Sequence, residues 1–145
     1  MKGLIQRVSE ANVSVDGDVV GRIGEGILLL LGVEHNDTET HAEKLIERII
    51  NYRIFSDEQG KMNKSLHDIG GQLLIVSQFT LVADTAKGRR PGFSKGASPQ
   101  QGNALYEYAI NHAKAQGITV ATGQFGADMQ VSLTNNGPVT FLLEN

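Results

Sequence analysis

Ile27-Leu28-Leu29-Leu30-Leu31 is an unbroken apolar run, without the polar alternation of a strand that has one face in water. From Gly26 to Val33 it has the length of a single strand, far short of a bilayer span. Such a run reads as a strand covered on both faces, so the chain should hold a sheet with material packed above and below it. A second apolar run, Leu73-Leu74-Ile75-Val76, reads as another buried strand, here taken on to Ala83.

The rest of the chain fits around these strands. Lys2 to Val8 reads as a first strand. Ala11 to Val15 alternates, Asp16-Gly17 signals a hairpin turn, and Asp18 to Ile23 returns as its partner. Asn36-Asp37-Thr38, with Glu39 three residues after Asn36, offers a helix start. Ala42, Leu45, Ile46, Ile49 and Ile50 then recur at helical spacing, with Glu43, Lys44, Glu47 and Arg48 on the opposite face. Tyr52 to Phe55 reads as a short strand. Ser98-Pro99-Gln100-Gln101 predicts a capped helix with proline in its first position, Leu105, Tyr108, Ala109 and His112 on one face, and Gly117 at its end. Ile118 to Gln124, Met129 to Thr134 and Val139 to Leu143 read as closing strands. The expected fold is a layered α/β domain of stacked, mostly antiparallel sheets with two main helices on one side.

With 145 residues and 40% hydrophobic content, one domain over residues 1–145 is expected. There is no cysteine, which excludes disulfides, thiol nucleophiles and zinc–thiolate sites and agrees with a reducing cytoplasm. The N-terminal Met1 to Arg7 lacks the long apolar core of a signal peptide. The formal charge of −3 disfavours nucleic-acid binding by bulk charge. Any phosphate contact must be local, and the basic stretch Lys87-Gly88-Arg89-Arg90-Pro91-Gly92-Phe93-Ser94-Lys95 is the place for it; a solvated loop explains the same residues as well.

Side-chain catalysts are missing from the pattern. His35, His41, His67 and His112 show no metal-ligand spacing, and there is no nucleophile elbow, phosphate-binding loop or dinucleotide fingerprint. An enzyme built on this chain would work through backbone dipoles and positioning. Ser77-Gln78-Phe79-Thr80-Leu81 suits that role, because it closes a buried strand and amides at a strand end lose their ladder partners. Phe79 can offer its amide to an oxyanion, and Gln78 both a donor and an acceptor. Thr80 is either a nucleophile or a hydroxyl that binds substrate; no activating base is in view, which favours the second. Asn135-Asn136-Gly137-Pro138-Val139-Thr140 reads as a hairpin turn or as a rigid Gly-Pro step that aims two carbonyls.

Taken in order, the Ser77 motif, the basic stretch Lys87 to Ala97 and the Gly137-Pro138 motif resemble those of the D-aminoacyl-tRNA deacylases. The similarity runs from Leu4-Ile5-Gln6-Arg7-Val8 to Phe141, and Gly92 stands where that family has a small polar residue. The resemblance implies three layers, helix on sheet on sheet, and a cytoplasmic homodimer with active sites at the subunit interface. It implies a site at Ser77, Gln78, Phe79 and Thr80 without metal or cofactor, and tRNA contacts through Lys87, Arg89, Arg90 and Lys95. It further implies that Gly137 and Pro138, joined by a cis bond, enter the partner's site and occupy the space an L-side chain needs. D-aminoacyl esters and mischarged glycyl-tRNA(Ala) would then be hydrolysed, with the ribose 2′-OH assisting attack. Arg7 would brace the Gly-Pro step, and Met129 would meet the terminal adenine or belong to the core, the core being favoured. The competing readings are a non-catalytic RNA-binding module and a small-molecule-binding dimer with an inert pocket.

Overall fold

The computed structural model describes residues 1–145. Strand β1 (Lys2–Val15) is its centre. It pairs antiparallel with β2 (Asp18–Ile23), β3 (Gly26–Gly32) and β8 (Gln130–Glu144). Beyond β3 the sheet continues in parallel through β6 (Gln72–Ser77) and β7 (Thr119–Thr122). The parallel pairs follow from the long crossovers, since a parallel neighbour cannot be reached by a tight turn. Helix α1 (Glu39–Ile50) lies between β3 and β6, and helix α3 (Pro99–Ala115) between β6 and β7. A ribbon of β4 (Phe55–Ser56) and β5 (Met62–Lys64) and the short helix α2 (Leu66–Ile69) complete the chain.

The central apolar runs are covered on both faces. Ile27, Leu29, Leu31, Leu73 and Ile75 join the core beneath the helices, whereas Leu28, Leu74 and Val76 join a second core with Val8, Ala11, Val13 and Ile23. The period-two alternation of strand side chains makes this division. The lower layer is a continuation of the same sheet: β2 and the far half of β1 fold over β6 and β7. Gly21 permits that approach, because a Cβ there would lie 2.3 Å from the Thr122 carbonyl oxygen.

Helix α1 buries Ala42, Leu45, Ile46, Ile49 and Ile50 as their spacing predicts. Each large aliphatic side chain so buried contributes about 1.5–3 kcal/mol. Of the three cap residues offered, Thr38 is the N-cap, and it pairs reciprocally with His41; the box of Asn36 with Glu39 is not formed. At α3, Ser98 accepts from the Gln101 amide. The Gln101 side chain reaches instead to the carbonyls of His35 and Asp37, tying the helix start to the end of β3.

Four expected elements are corrected. β6 ends at Ser77, and Phe79–Val82 forms a turn of 3₁₀-helix, so the Leu73–Ala83 strand is shorter than expected. Tyr52 to Phe55 is not a strand; pairing begins at Phe55. The two last strands are one, β8, with the Gly-Pro step inside it as an irregularity in its register with β1. Tyr106 and Ile110, rather than Tyr108 and His112, complete the buried face of α3. Tyr108 and His112 instead bond Glu43 and Glu47 across the α1–α3 seam.

Candidate active site

A cleft of about 530 Å³ opens where β6 gives way to the 3₁₀ turn. Val76, Ser77, Gln78 and Phe79 form its floor, Ala97, Ser98, Pro99 and Gly102 one wall, and Phe125, Gly126, Ala127, Met129 and Val131 the other. No ionisable side chain lines it. The chemistry available is therefore that of amides, hydroxyls and carbonyls in apolar surroundings, where each dipole acts more strongly than in water.

Gln78 caps the 3₁₀ turn, and the leading amides of any helical turn have no acceptor within it. No loop or cap hydrogen bond takes up the Phe79 N–H. The Gln78 amide itself is bound to the Leu31 carbonyl at 2.8 Å, which fixes the turn to β3. The Gln78 side chain donates to Thr80 Oγ1, and Thr80 is exposed beside the cleft rather than in its lining. A donor on the hydroxyl oxygen lowers its nucleophilicity and leaves its proton free to be given to a ligand.

The floor is held from behind by Tyr106, whose buried hydroxyl donates to the Ile75 carbonyl at 3.0 Å. The same ring lies 5.8 Å from that of Phe125. One α3 residue thus spans both the strand that carries the site and the aromatic wall. Met129 packs on the second core, as favoured, and also lines the cleft.

Gly137 and Pro138 are exposed and line no part of this cleft. Their peptide bond is cis. Gly137 has φ of 146°, and a Cβ there would meet the Val139 side chain at 2.7 Å, so a glycine is required. Arg7 Nε donates to the Asn136 carbonyl at 2.8 Å and Nη1 to the Ile54 carbonyl at 2.8 Å, which anchors the step to the body of the fold. Asn135 closes it from the other side, accepting from the Val139 amide at 2.6 Å and donating to Thr140 Oγ1 at 2.9 Å. Ser77 is level with Leu31, Gly3 and Leu143 across the sheet, whereas the Gly-Pro step lies beside Arg7. Three strand spacings and about four residues of rise put the two motifs roughly 20 Å apart within one chain.

Lys87, Arg89, Arg90 and Lys95 are all exposed, and none has a carboxylate within 4 Å. Their loop is nonetheless anchored. Asp84 and Gly92 exchange backbone bonds of 2.8 and 2.9 Å, and the Ala97 amide donates to Val33 at 3.1 Å. The loop runs directly into the Ala97–Pro99 wall. The far wall at Phe125, Gly126 and Ala127 was missed from the sequence. Its available signal was an aromatic beside a glycine in a short connection, and that glycine does take a positive φ of 76°.

Comparison with known proteins agrees with this architecture. The model of the family described as D-Tyr-tRNA(Tyr) deacylase matches residues 4–144. The D-aminoacyl-tRNA deacylase of Pseudoalteromonas translucida is 63% identical over 143 residues, 99% of each chain. That of Alteromonas mediterranea is 60% identical over 141 residues, 97% of each. Among solved structures, one titled c-Myc DNA Unwinding Element Binding Protein superposes with a TM-score of 0.94 at 38% identity, covering 100% of this chain and 99% of its own. A probable eukaryotic D-amino acid tRNA deacylase superposes with a TM-score of 0.85 at 18% identity, covering 98% and 97%, and shows the shared fold.

Fold and cleft thus define a hydrolase of the aminoacyl-tRNA deacylase class. The chain belongs to the D-Tyr-tRNA(Tyr) deacylase family, over nearly its whole length.

Proposed function

We propose that this protein hydrolyses the ester between a D-amino acid and the terminal ribose of tRNA, and that of mischarged glycyl-tRNA(Ala), while sparing L-aminoacyl-tRNA. The observation that carries the reading is a cleft with no ionisable lining, floored by a strand end whose Phe79 amide has no loop or cap acceptor. Water adds to the ester carbonyl, the bond to the ribose oxygen breaks, and that oxygen receives the proton. The charge that develops on the carbonyl oxygen is met by the Phe79 N–H. Proton handling falls to the vicinal 2′-OH of the ribose, since the lining supplies no base. Ser77, Gln78 and Thr80 hold the substrate, and Lys87, Arg89, Arg90 and Lys95 meet tRNA phosphates.

Selection by hand is assigned to Gly137 and Pro138 acting from a second subunit. Because they lie roughly 20 Å from the Ser77 motif across the sheet, they reach a cleft only in an assembly. β8 is an edge strand with Phe141 and Leu142 exposed, a surface suited to a two-fold contact that repeats the same exchange twice. Inserted carbonyls would exclude an L-side chain and leave room for a D-residue or glycine. The working place of such an enzyme is the cytoplasm, where tRNA is charged.

The test is parallel incubation of D-tyrosyl-, L-tyrosyl- and glycyl-tRNA with the wild type and Thr80→Ala, and of D-tyrosyl-tRNA ending in 2′-deoxyadenosine with the wild type. Turnover of the D- and glycyl esters, a spared L-ester, substantial Thr80→Ala activity and slow 2′-deoxy hydrolysis are expected. Binding of both D- and L-esters without release of amino acid would identify an RNA-binding module instead. A folded but inactive Thr80→Ala would return Thr80 to the role of nucleophile.

A further inference from the structure

Phe93 projects from the basic loop with nearly half of its surface in water, and its ring packs at a tilt against that of Phe79, which is more exposed still. The ring centroids are 5.3 Å apart and the planes are inclined by 43°. Phe79 lines the cleft and Phe93 does not, so Phe93 stands one ring removed from it, in the loop that carries the cations. The backbone on both sides of Phe93 is fixed. Gly92 is bonded to Asp84 in both directions, the Phe93 carbonyl accepts from Gly96 at 3.2 Å, and Lys95 accepts from His35 at 3.0 Å. The ring is thus presented on a held backbone. Arg89, Arg90 and Lys95 lie within four residues of it in the chain, all without carboxylate partners. A flat exposed ring in a loop of unpaired cations matches the face and charge of a single nucleotide, because bases stack on aromatics while their phosphates pair with Arg and Lys.

We infer that Phe93, backed by Phe79, is a stacking platform for the base of the nucleotide that precedes the terminal adenosine of tRNA. The inference rests on the reading that the cleft takes the aminoacyl-adenosine end. It assigns to the mouth a contact with the single-stranded 3′ end that is independent of the amino acid. The other apolar candidate for this place, a second copy of the chain, is disfavoured by the four unpaired cations of the same loop, since a two-fold contact centred on this loop would bring like charges towards one another.

The experiment compares two substrates, a D-tyrosyl ester of adenosine and the same ester extended by one nucleotide on the 5′ side, with wild type, Phe93→Ala and Phe93→Trp. In the wild type the extension raises kcat/KM. Phe93→Ala abolishes that increase, by on the order of tenfold and through KM, while Phe93→Trp keeps it. Light scattering on each variant reports assembly. Retention of the full increase by Phe93→Ala overturns the inference, and so does a change in assembly state, which would assign the ring to a subunit contact. Failure of the wild type to hydrolyse either ester overturns the underlying reading itself, and is distinguishable from both.

Discussion

Arg7 holds Asn136: the guanidinium Nε donates to the carbonyl just before the Gly137-Pro138 step at 2.8 Å, while Nη1 holds the Ile54 carbonyl at the same distance. A charged fork that bridges two carbonyls restrains a loop more than a single donor can, since its two bonds share one rigid plane. A strand residue distant in sequence therefore sets the direction in which the Gly-Pro carbonyls point.

Replacing Arg7 with Lys keeps the charge and removes the fork. The expected outcome is relaxed stereoselectivity: the D over L ratio of kcat/KM falls about tenfold, equivalent to about 1.4 kcal/mol, mainly because L-tyrosyl-tRNA is admitted. Initial rates on both esters measure this. An unchanged ratio in a variant that is merely less stable would make Arg7 a structural brace only.

The four cations of the basic loop are unpaired on their own surface, so phosphate is the natural counterion. Changing Lys87, Arg89, Arg90 and Lys95 to Gln together should raise KM for charged tRNA with little effect on kcat. The slope of log kcat/KM against log salt should flatten by about 0.7 for each single-strand phosphate that the variant no longer neutralises. A salt titration of the wild type and the quadruple variant gives the comparison, and parallel slopes would remove the loop from tRNA binding.

The Tyr106 hydroxyl titrates far from its ordinary value. Burial first, then the nearby Glu107 charge, pushes it up from 10.0 to about 12. A group raised in the folded state contributes stability that is intact below its unfolded value and disappears as pH climbs through the folded one. Stability should therefore decline between about pH 10 and pH 12 in urea-melting experiments. Tyr108, raised to about 12 chiefly by its bond to Glu43, falls in the same window. Tyr106→Phe should flatten the alkaline decline and cost about 1 kcal/mol at neutral pH, because the bond to Ile75 is no longer made. An alkaline profile identical to wild type would show that this phenol does not report on folding.

Much of the architecture was legible because burial leaves a periodic signature. The run at Ile27 announced a strand covered on both sides and that at Leu73 a buried strand, and the alternate residues of each enter two different cores. The spacing of Ala42, Leu45, Ile46, Ile49 and Ile50 announced α1, and Asp16-Gly17 does turn with both residues at positive φ. The end of β6 was less legible. Phe79, Thr80, Leu81 and Val82 carry strand-like residues, and only the docking of the Gln78 amide on Leu31 and the closing of the 3₁₀ turn end the strand there.

What the amino-acid order determined alone was chemical inventory and local shape: no thiols, no catalytic histidine pattern, a Gly-Pro step whose form stayed open, a cluster of cations, and most of the strands and helices in order. Tertiary structure decided what those parts face. It brought Val33, Pro99, Gly102, Phe125 and Met129, from separate stretches of chain, around one strand end, and it set Gly137 and Pro138 on the far side of β1 from that cleft. The physical reason is range. Propensity and periodicity act over a few neighbouring residues, whereas a cleft is made by crossovers and strand pairings that join residues tens of positions apart, and their register leaves little trace in any one segment.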